Sequence, residues 1–234
     1  MHQACNDGHI DANQLCVLKV PFFNHLDFED MQRIVQMSTN KTYSKGDIII
    51  HDGDPLDHLY IVHQGRVKIY QIFASGKEQL LRILNPGDFF GELALFTKKV
   101  MDSYAEAMEP VHICAIHRED MQQLMMKHPT IAPKILEQFA HRLEQTEKLV
   151  GQLSAKDVET RTASYLIELA KKSRSQEVVL PMSKKDLASF LGTTQETISR
   201  RLSSFQTKGW IEQQGHRYIK ILDINALREV ADSF

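Results

Sequence analysis

Residues 183–208 read Ser183-Lys-Lys-Asp186-Leu-Ala-Ser-Phe-Leu-Gly192-Thr-Thr194-Gln195-Glu196-Thr-Ile198-Ser199-Arg200-Arg201-Leu202-Ser-Ser-Phe205-Gln-Thr-Lys208, and two helices with a tight turn between them are written into that stretch. Ser183 with Asp186 is a capping-box-like start, with Asp where Glu is usual, and it opens a helix predicted over Lys185–Leu191. Gly192 ends that helix. Two residues on, Thr194 can N-cap a second helix, predicted over Gln195–Lys208. Ile198, Leu202 and Phe205 fall at i, i+4 and i+7, so they turn one face of this helix to a core. The other face presents Gln195, Glu196, Ser199 and Arg200 in the first two turns. Two short helices joined by a glycine-containing turn form a helix-turn-helix.

These side chains suit duplex DNA. Arg can donate twice to guanine O6 and N7, Glu can accept from a cytosine amino group, and Ser can serve either role. A recognition helix lowers its N-terminal end into the major groove, which is where Glu196, Ser199 and Arg200 lie. Thr194, Arg201 and Lys208 are placed to hold phosphates. A solvated helical face is the plainer reading of any single helix, but the flanking segments extend the motif. Val158, Leu166, Leu169 and Ala170 mark a preceding helix, and Val178-Val179-Leu180-Pro181 a short strand. Gly209-Trp210-Ile211 through Tyr218-Ile219-Lys220-Ile221, around Gly215, reads as a two-stranded wing. Residues 156–234 carry 13 Lys+Arg against 10 Asp+Glu, while residues 1–155 carry 15 against 20, so the basic excess sits with the candidate DNA reader.

Upstream, Ala132, Leu136, Phe139, Leu143, Thr146, Val150 and Leu153 recur at alternating spacings of four and three, which is an a/d seam. The stripe is narrow and flanked by Arg142, Glu144, Glu147 and Lys148, so a parallel homodimer through this helix is predicted; packing of the stripe on the preceding domain is the alternative. From about Lys41 to His117, short apolar runs rich in β-branched and aromatic residues alternate with Gly46, Gly53, Gly65, Gly76, Gly87 and Gly91. That pattern predicts antiparallel sheet, a barrel or roll of about eight strands, preceded by a short helix around Phe28–Met37.

A length of 234 residues accommodates one large or two modest domains, and 42% hydrophobic with 25% charged residues is the globular average. The first twenty residues lack a basic leader and an apolar core, and no apolar stretch approaches the ~20 residues that span a bilayer, so a cytoplasmic protein with no membrane partner is expected. Three cysteines fit a reducing compartment. No Gly-x-Ser-x-Gly elbow, P-loop, His-Glu-x-x-His or glycine-rich dinucleotide turn is present, so the sequence does not read as an enzyme.

The run Gly192-Thr-Thr-Gln-Glu196-Thr-Ile-Ser199-Arg200-Arg-Leu202 resembles the recognition helix of the Crp/Fnr family of bacterial transcription regulators. Gly65-Arg-Val67 and Pro86-Gly-Asp-Phe-Phe-Gly91-Glu92-Leu-Ala-Leu-Phe96 are similar to the family's sensor domain, and Glu144 to Leu153 to its dimer helix. The resemblance implies an α+β fold: an N-terminal double-stranded β-roll of the cyclic-nucleotide-binding type, a long dimerisation helix and a C-terminal winged helix-turn-helix. On that basis residues 1–20 form a cysteine-containing arm, 21–128 the sensor, 129–155 the dimerisation helix and 156–234 the DNA-binding domain. Glu-x-x-Ser-Arg resembles the Fnr branch, which implies a palindrome near TTGAT-N4-ATCAA, with Arg200 on the guanine, Glu196 on the paired cytosine and Ser199 on a thymine. Contact with RNA polymerase is implied for activators of the family.

The signal is less legible. Cyclic-AMP binders of the family place Arg-Ser at a fixed interval after Gly-Glu-Leu; here Gly91-Glu92 is followed by Asp102-Ser103, so a phosphate would meet two carboxylates and no guanidinium, which argues against cyclic AMP. Cys16 and Cys114 resemble two of the four cysteine positions that ligate the Fnr iron–sulfur cluster, and Cys5 lies upstream at a different spacing. A cluster ordinarily takes four thiolates, whereas a reversible disulfide, Cys5 with Cys114 or with Cys16, needs two. Metal capture by His2, Cys5, His9 and Cys16, a small-molecule effector, and constitutive activity are the alternatives. Cys114 also reads as a small core residue.

Overall fold

The structure, a computed structural model, describes residues 20–155 and 157–232; within the long central helix it leaves out the side chains at positions 148, 149 and 152–155. The described residues belong to two compact units, and each is taken by itself below.

In the first, Val20, Phe22, Phe23 and Leu26 enter the core before helix α1 (Phe28–Met37) begins at the Asp27 cap, whose carboxylate accepts the Asp30 N–H at 2.9 Å. Ten strands follow among the described residues, rather than about eight: β1 (Thr39–Tyr43), β2 (Ile48–Ile50), β3 (Pro55–Leu56), β4 (His58–Gln64), β5 (Val67–Ile72), β6 (Glu78–Leu84), β7 (Phe89–Phe90), β8 (Lys99–Val100), β9 (Tyr104–Ala107) and β10 (Val111–His117). The excess comes from two-residue pieces such as β3 and β8, too short to show as periodicity. Two four-stranded sheets, β1-β10-β4-β7 and β2-β9-β5-β6, make the roll, with β3 and β8 paired beside them.

Alternation along β10 decides what lies where. Ile113 points into the roll with Val62, Val67, Ile69 and Phe90, whereas Cys114 and Ile116 face the helices with Leu59, Ile61, Phe22 and Ile34. Helix α2 (Arg118–Lys127) adds Met121 and Leu124 to that outer cluster, and α3 (Ile131–Ala155) adds Ile131 and Ile135 from its first turns. Two turns demand glycine. At Gly65 and Gly91 φ is +79°, and a Cβ would stand 2.3 Å from the Pro110 carbonyl oxygen and 2.5 Å from that of His58.

In the second unit, α4 (Val158–Ser173) starts at Asp157, which accepts the Thr160 N–H at 2.8 Å. Then come β11 (Glu177–Val179), α5 (Lys184–Phe190), α6 (Gln195–Thr207), β12 (Ile211–Gln214), β13 (Tyr218–Ile221) and α7 (Ile224–Ala231). The sheet order is β11-β13-β12, so the strand that precedes the two short helices pairs with the last strand of the wing. Leu166, Leu187, Ile198, Leu202, Phe205, Ile219 and Leu227 are buried together with their neighbours along these elements. Among the described residues no helix is long and apolar enough to cross a membrane.

Candidate nucleic-acid interface

The interface is built by caps at both ends of a tight turn. Ser183 caps α5, its oxygen accepting the Asp186 N–H at 3.1 Å and its hydroxyl donating to the Asp186 carboxylate at 2.5 Å, so the helix begins one residue earlier than the sequence suggests. Gly192 at φ +68° reverses the chain, with the Thr193 N–H donating to the Ala188 carbonyl at 2.9 Å. Thr194 then caps α6 by accepting the Thr197 N–H at 3.3 Å. Ile198, Leu202 and Phe205 are fully buried, and Phe205 packs beside Trp210 with ring centroids 5.5 Å apart.

The outward face is therefore fixed. Gln195, Glu196 and Arg200 are exposed and Ser199 is half-buried among them. The backbone N–H at the helix start and the Thr194 hydroxyl hold the Glu196 carboxyl below its usual range, with the Arg200 charge adding to the effect. Glu196 is thus an acceptor without a proton of its own, suited to an amino group rather than to a carbonyl. Thr197, Arg200 and Arg201 line a shallow concavity on this side of the helix.

Arg201 and Lys208, expected to stand ready for phosphates, are both engaged within the protein. Glu159, in the first turn of α4, takes Arg201 Nη1 at 2.8 Å on one oxygen and Lys208 Nζ at 3.2 Å on the other. Lys208 also lies over the Trp210 ring at 4.4 Å. Two further ties were not foreseen: Lys184 Nζ donates to Gln213 Oε1 at 2.8 Å, and the Gln213 N–H donates to Gln206 Oε1 at 3.0 Å, fastening the wing to both short helices. No sequence signal marks such pairs, because their members sit on different elements.

The expected seam on α3 divides in two. Leu136 and Leu143 are each 61% exposed and Val150 is 56% exposed, one residue per heptad in a straight row. In the other row Ala132 is half-buried, Phe139 packs on the roll's outer cluster and edge-on to Phe96 at 5.9 Å, and Thr146 is exposed with its hydroxyl donating to the Arg142 carbonyl. The Leu153 side chain lies outside the described residues. Ile131 and Ile135, which the seam pattern left out, are buried in that outer cluster beside Phe139.

In the roll, Gly91 opens a 3-10 helix (Glu92–Leu95), and Glu92 is buried with its Oε1 3.7 Å from Arg82 Nη2. Asp102 is exposed, while Ser103 is buried. The expectation of two carboxylates and no guanidinium is corrected: Arg82 comes in from β6, a strand the motif after Gly-Glu-Leu does not cover. Cys114 is 3% exposed, paired in the sheet with Asn40 and Ile61. Cys5, Cys16, His2 and His9 lie outside the described residues, among which no group of three His, Cys, Asp or Glu could hold a metal ion.

Comparison with known proteins agrees with this architecture. A cyclic nucleotide-binding domain model matches residues 40–128 and a Crp-like helix-turn-helix domain model matches residues 160–230. The "probable transcriptional regulator flp" of Lacticaseibacillus casei is 33% identical over 92% of this chain and 98% of its own length. An "anaerobic regulatory protein" of Haemophilus influenzae is 32% identical over 97% of this chain and 87% of its own. The solved structure of FixK2 from Bradyrhizobium japonicum superposes with a TM-score of 0.71 at 28% identity, covering 82% of this chain and 96% of that one. The outward-facing capped helix, its wing and these matches together place the chain in the Crp/Fnr family of DNA-binding transcription regulators, which are not enzymes.

Proposed function

We propose that this regulator binds as a homodimer to a palindrome near TTGAT-N4-ATCAA, with Arg200 reading guanine, Glu196 the paired cytosine and Ser199 a thymine, and Thr194 and Gln195 alongside at the helix start. The observation that carries the reading is the shared outward presentation of Glu196, Ser199 and Arg200 on the first two turns of α6. The exposed row Leu136, Leu143 and Val150 supports self-association, because a second copy is the partner that a heptad-spaced apolar row fits. Two-fold pairing sets the recognition helices about one turn of DNA apart, ~34 Å. We assign residues 1–20 to an arm, 21–128 to the sensor, 129–155 to the dimerisation helix and 156–234 to DNA binding. Selection from random duplexes tests the preference: Arg200→Ala should cost ~1–3 kcal/mol per half-site and blur the guanine. Retention of the wild-type consensus by the variant refutes the assignment.

For the signal, the reading is a thiol switch between Cys114 and Cys5 or Cys16. Val20, Phe22 and Phe23 pack in the same cluster as Cys114, and Cys16 lies four positions before Val20, a reach of about 14 Å at ~3.3–3.6 Å per step. A disulfide there would repack the outer cluster against α3 and shift the fraction of binding-competent dimers. Three cysteines fall short of the four thiolates of an iron–sulfur cluster. Arg82 brings a guanidinium to Glu92, but Asp102 stands where the family's cyclic-AMP binders carry Arg, so cyclic AMP is not proposed as the effector. Contact with RNA polymerase, which the family resemblance implies for activators, completes the proposed set of partners.

A further inference from the structure

We propose that Glu159 is a positioning residue that holds Arg201 and Lys208 off the DNA backbone, limiting sequence-independent binding so that discrimination rests with Glu196, Ser199 and Arg200. The inference builds on the DNA-binding reading of α6 and adds a residue from outside the helix-turn-helix.

One carboxylate serves two cations, Oε2 with Arg201 Nη1 at 2.8 Å and Oε1 with Lys208 Nζ at 3.2 Å. Glu159 is itself anchored: it lies in the first turn of α4, where the helix start favours negative charge, and its side chain is 21% exposed. The cations are less enclosed, at 39% for Arg201 and 44% for Lys208, so solvent and a polyanion can both reach them. Arg201 lies at the rim of the base-reading face, because it shares a concavity with Thr197 and Arg200. In the absence of Glu159 a duplex lying against α6 would meet Arg200, Arg201 and Lys208 together. With Glu159 present, two of those three charges are already answered within the protein. Phosphate contacts raise affinity for every sequence alike, and each makes binding more salt-sensitive, with log K falling against log salt by ~0.9 per phosphate neutralised. Withholding two cations therefore lowers non-specific affinity without touching base readout.

The test is the salt dependence of binding to random-sequence duplex and to the palindrome, followed by fluorescence anisotropy. Glu159→Gln keeps the shape and removes the charge. Its slope should steepen by up to ~1.8 per protomer on both duplexes, and affinity for random duplex should rise, narrowing the ratio between palindrome and random DNA. Arg201→Gln in the wild-type background should leave the slope unchanged, yet in the Glu159→Gln background it should remove ~0.9 per protomer of the gain. An unchanged or shallower slope in Glu159→Gln overturns the proposal. So does a slope that flattens by ~0.9 per protomer in the single Arg201→Gln variant, since Arg201 would then already be on a phosphate; that variant keeps the question answerable whatever Glu159→Gln does to folding. Slopes on random duplex report on Glu159 whichever sequence the protein prefers, whereas wild-type preference for the palindrome reports on the reading beneath it.

Discussion

Replacing Leu143 by Ala should loosen the proposed dimer without disturbing the fold of either unit. Leu143 is 61% exposed on the isolated chain, between Leu136 and Val150 in one row of α3. Fully burying a leucine side chain is worth ~1.5–3 kcal/mol, so covering the exposed fraction yields ~0.9–1.8 kcal/mol per protomer. A two-fold contact loses the side chain twice, giving ~1.8–3.6 kcal/mol per dimer. At ~1.4 kcal/mol per decade, the dissociation constant should rise about 20- to 400-fold. Ala retains high helix propensity, so the loss reports on the contact rather than on the helix. Sedimentation equilibrium over a concentration series measures the constant directly. As a contrast, Ile135→Ala removes a fully buried side chain from the outer cluster where α3 meets the roll and should cost ~2–5 kcal/mol of stability. A dissociation constant for Leu143→Ala within threefold of the wild type would refute the seam as the dimer contact.

Two further outcomes follow. The Thr160 N–H bonded to Asp157 is the chief cause holding that carboxyl below its ordinary value of 3.8, so the unfolded chain binds more protons as acid is added. The cap is then at full strength above that value and is lost as pH falls through the lower folded value: the stability gap between wild type and Asp157→Ala, ~0.5–2 kcal/mol at neutral pH, should close in acid melts. A gap that stays constant throughout the acid range rejects the assignment. Cys114→Ser should abolish any difference in DNA affinity between oxidised and reduced protein while leaving the preferred sequence unchanged; free-thiol counts before and after oxidation should fall by two in the wild type. A variant that still responds to oxidant places the switch elsewhere.

The second unit was the more legible part of the chain, and the reason is local. Ser183, Gly192 and Thr194 announce helix ends within a few residues of where their hydrogen bonds form, and Ile198, Leu202 and Phe205 declare the buried face by spacing alone. Helix α2 gave no such signal, since Arg118–Lys127 buries only Met121 and Leu124 and is otherwise polar or Met-rich. Helix α7, beyond the wing's last strand, is absent from the sequence reading, although Asp223 caps it through the Asn225 and Ala226 N–H groups. The partners that modify the sites escaped altogether. Glu159 stands 42 residues from Arg201, and Arg82 and Glu92 approach from separate elements, so their meeting is a product of packing with no period or motif to betray it.

The order β11-β13-β12 stitches the DNA-reading unit shut. Its central strand lies late in the chain and borrows one neighbour from before the two short helices and another from after them. Fraying from the C-terminal side therefore cannot free the wing alone: peeling away β13 strips Val178 of its strand partner and bares Ile219 and Ile221, both buried in the fold. Such a clasp makes the reader an all-or-nothing object, present in full or not at all, which suits a protein whose output depends on whether it occupies a site.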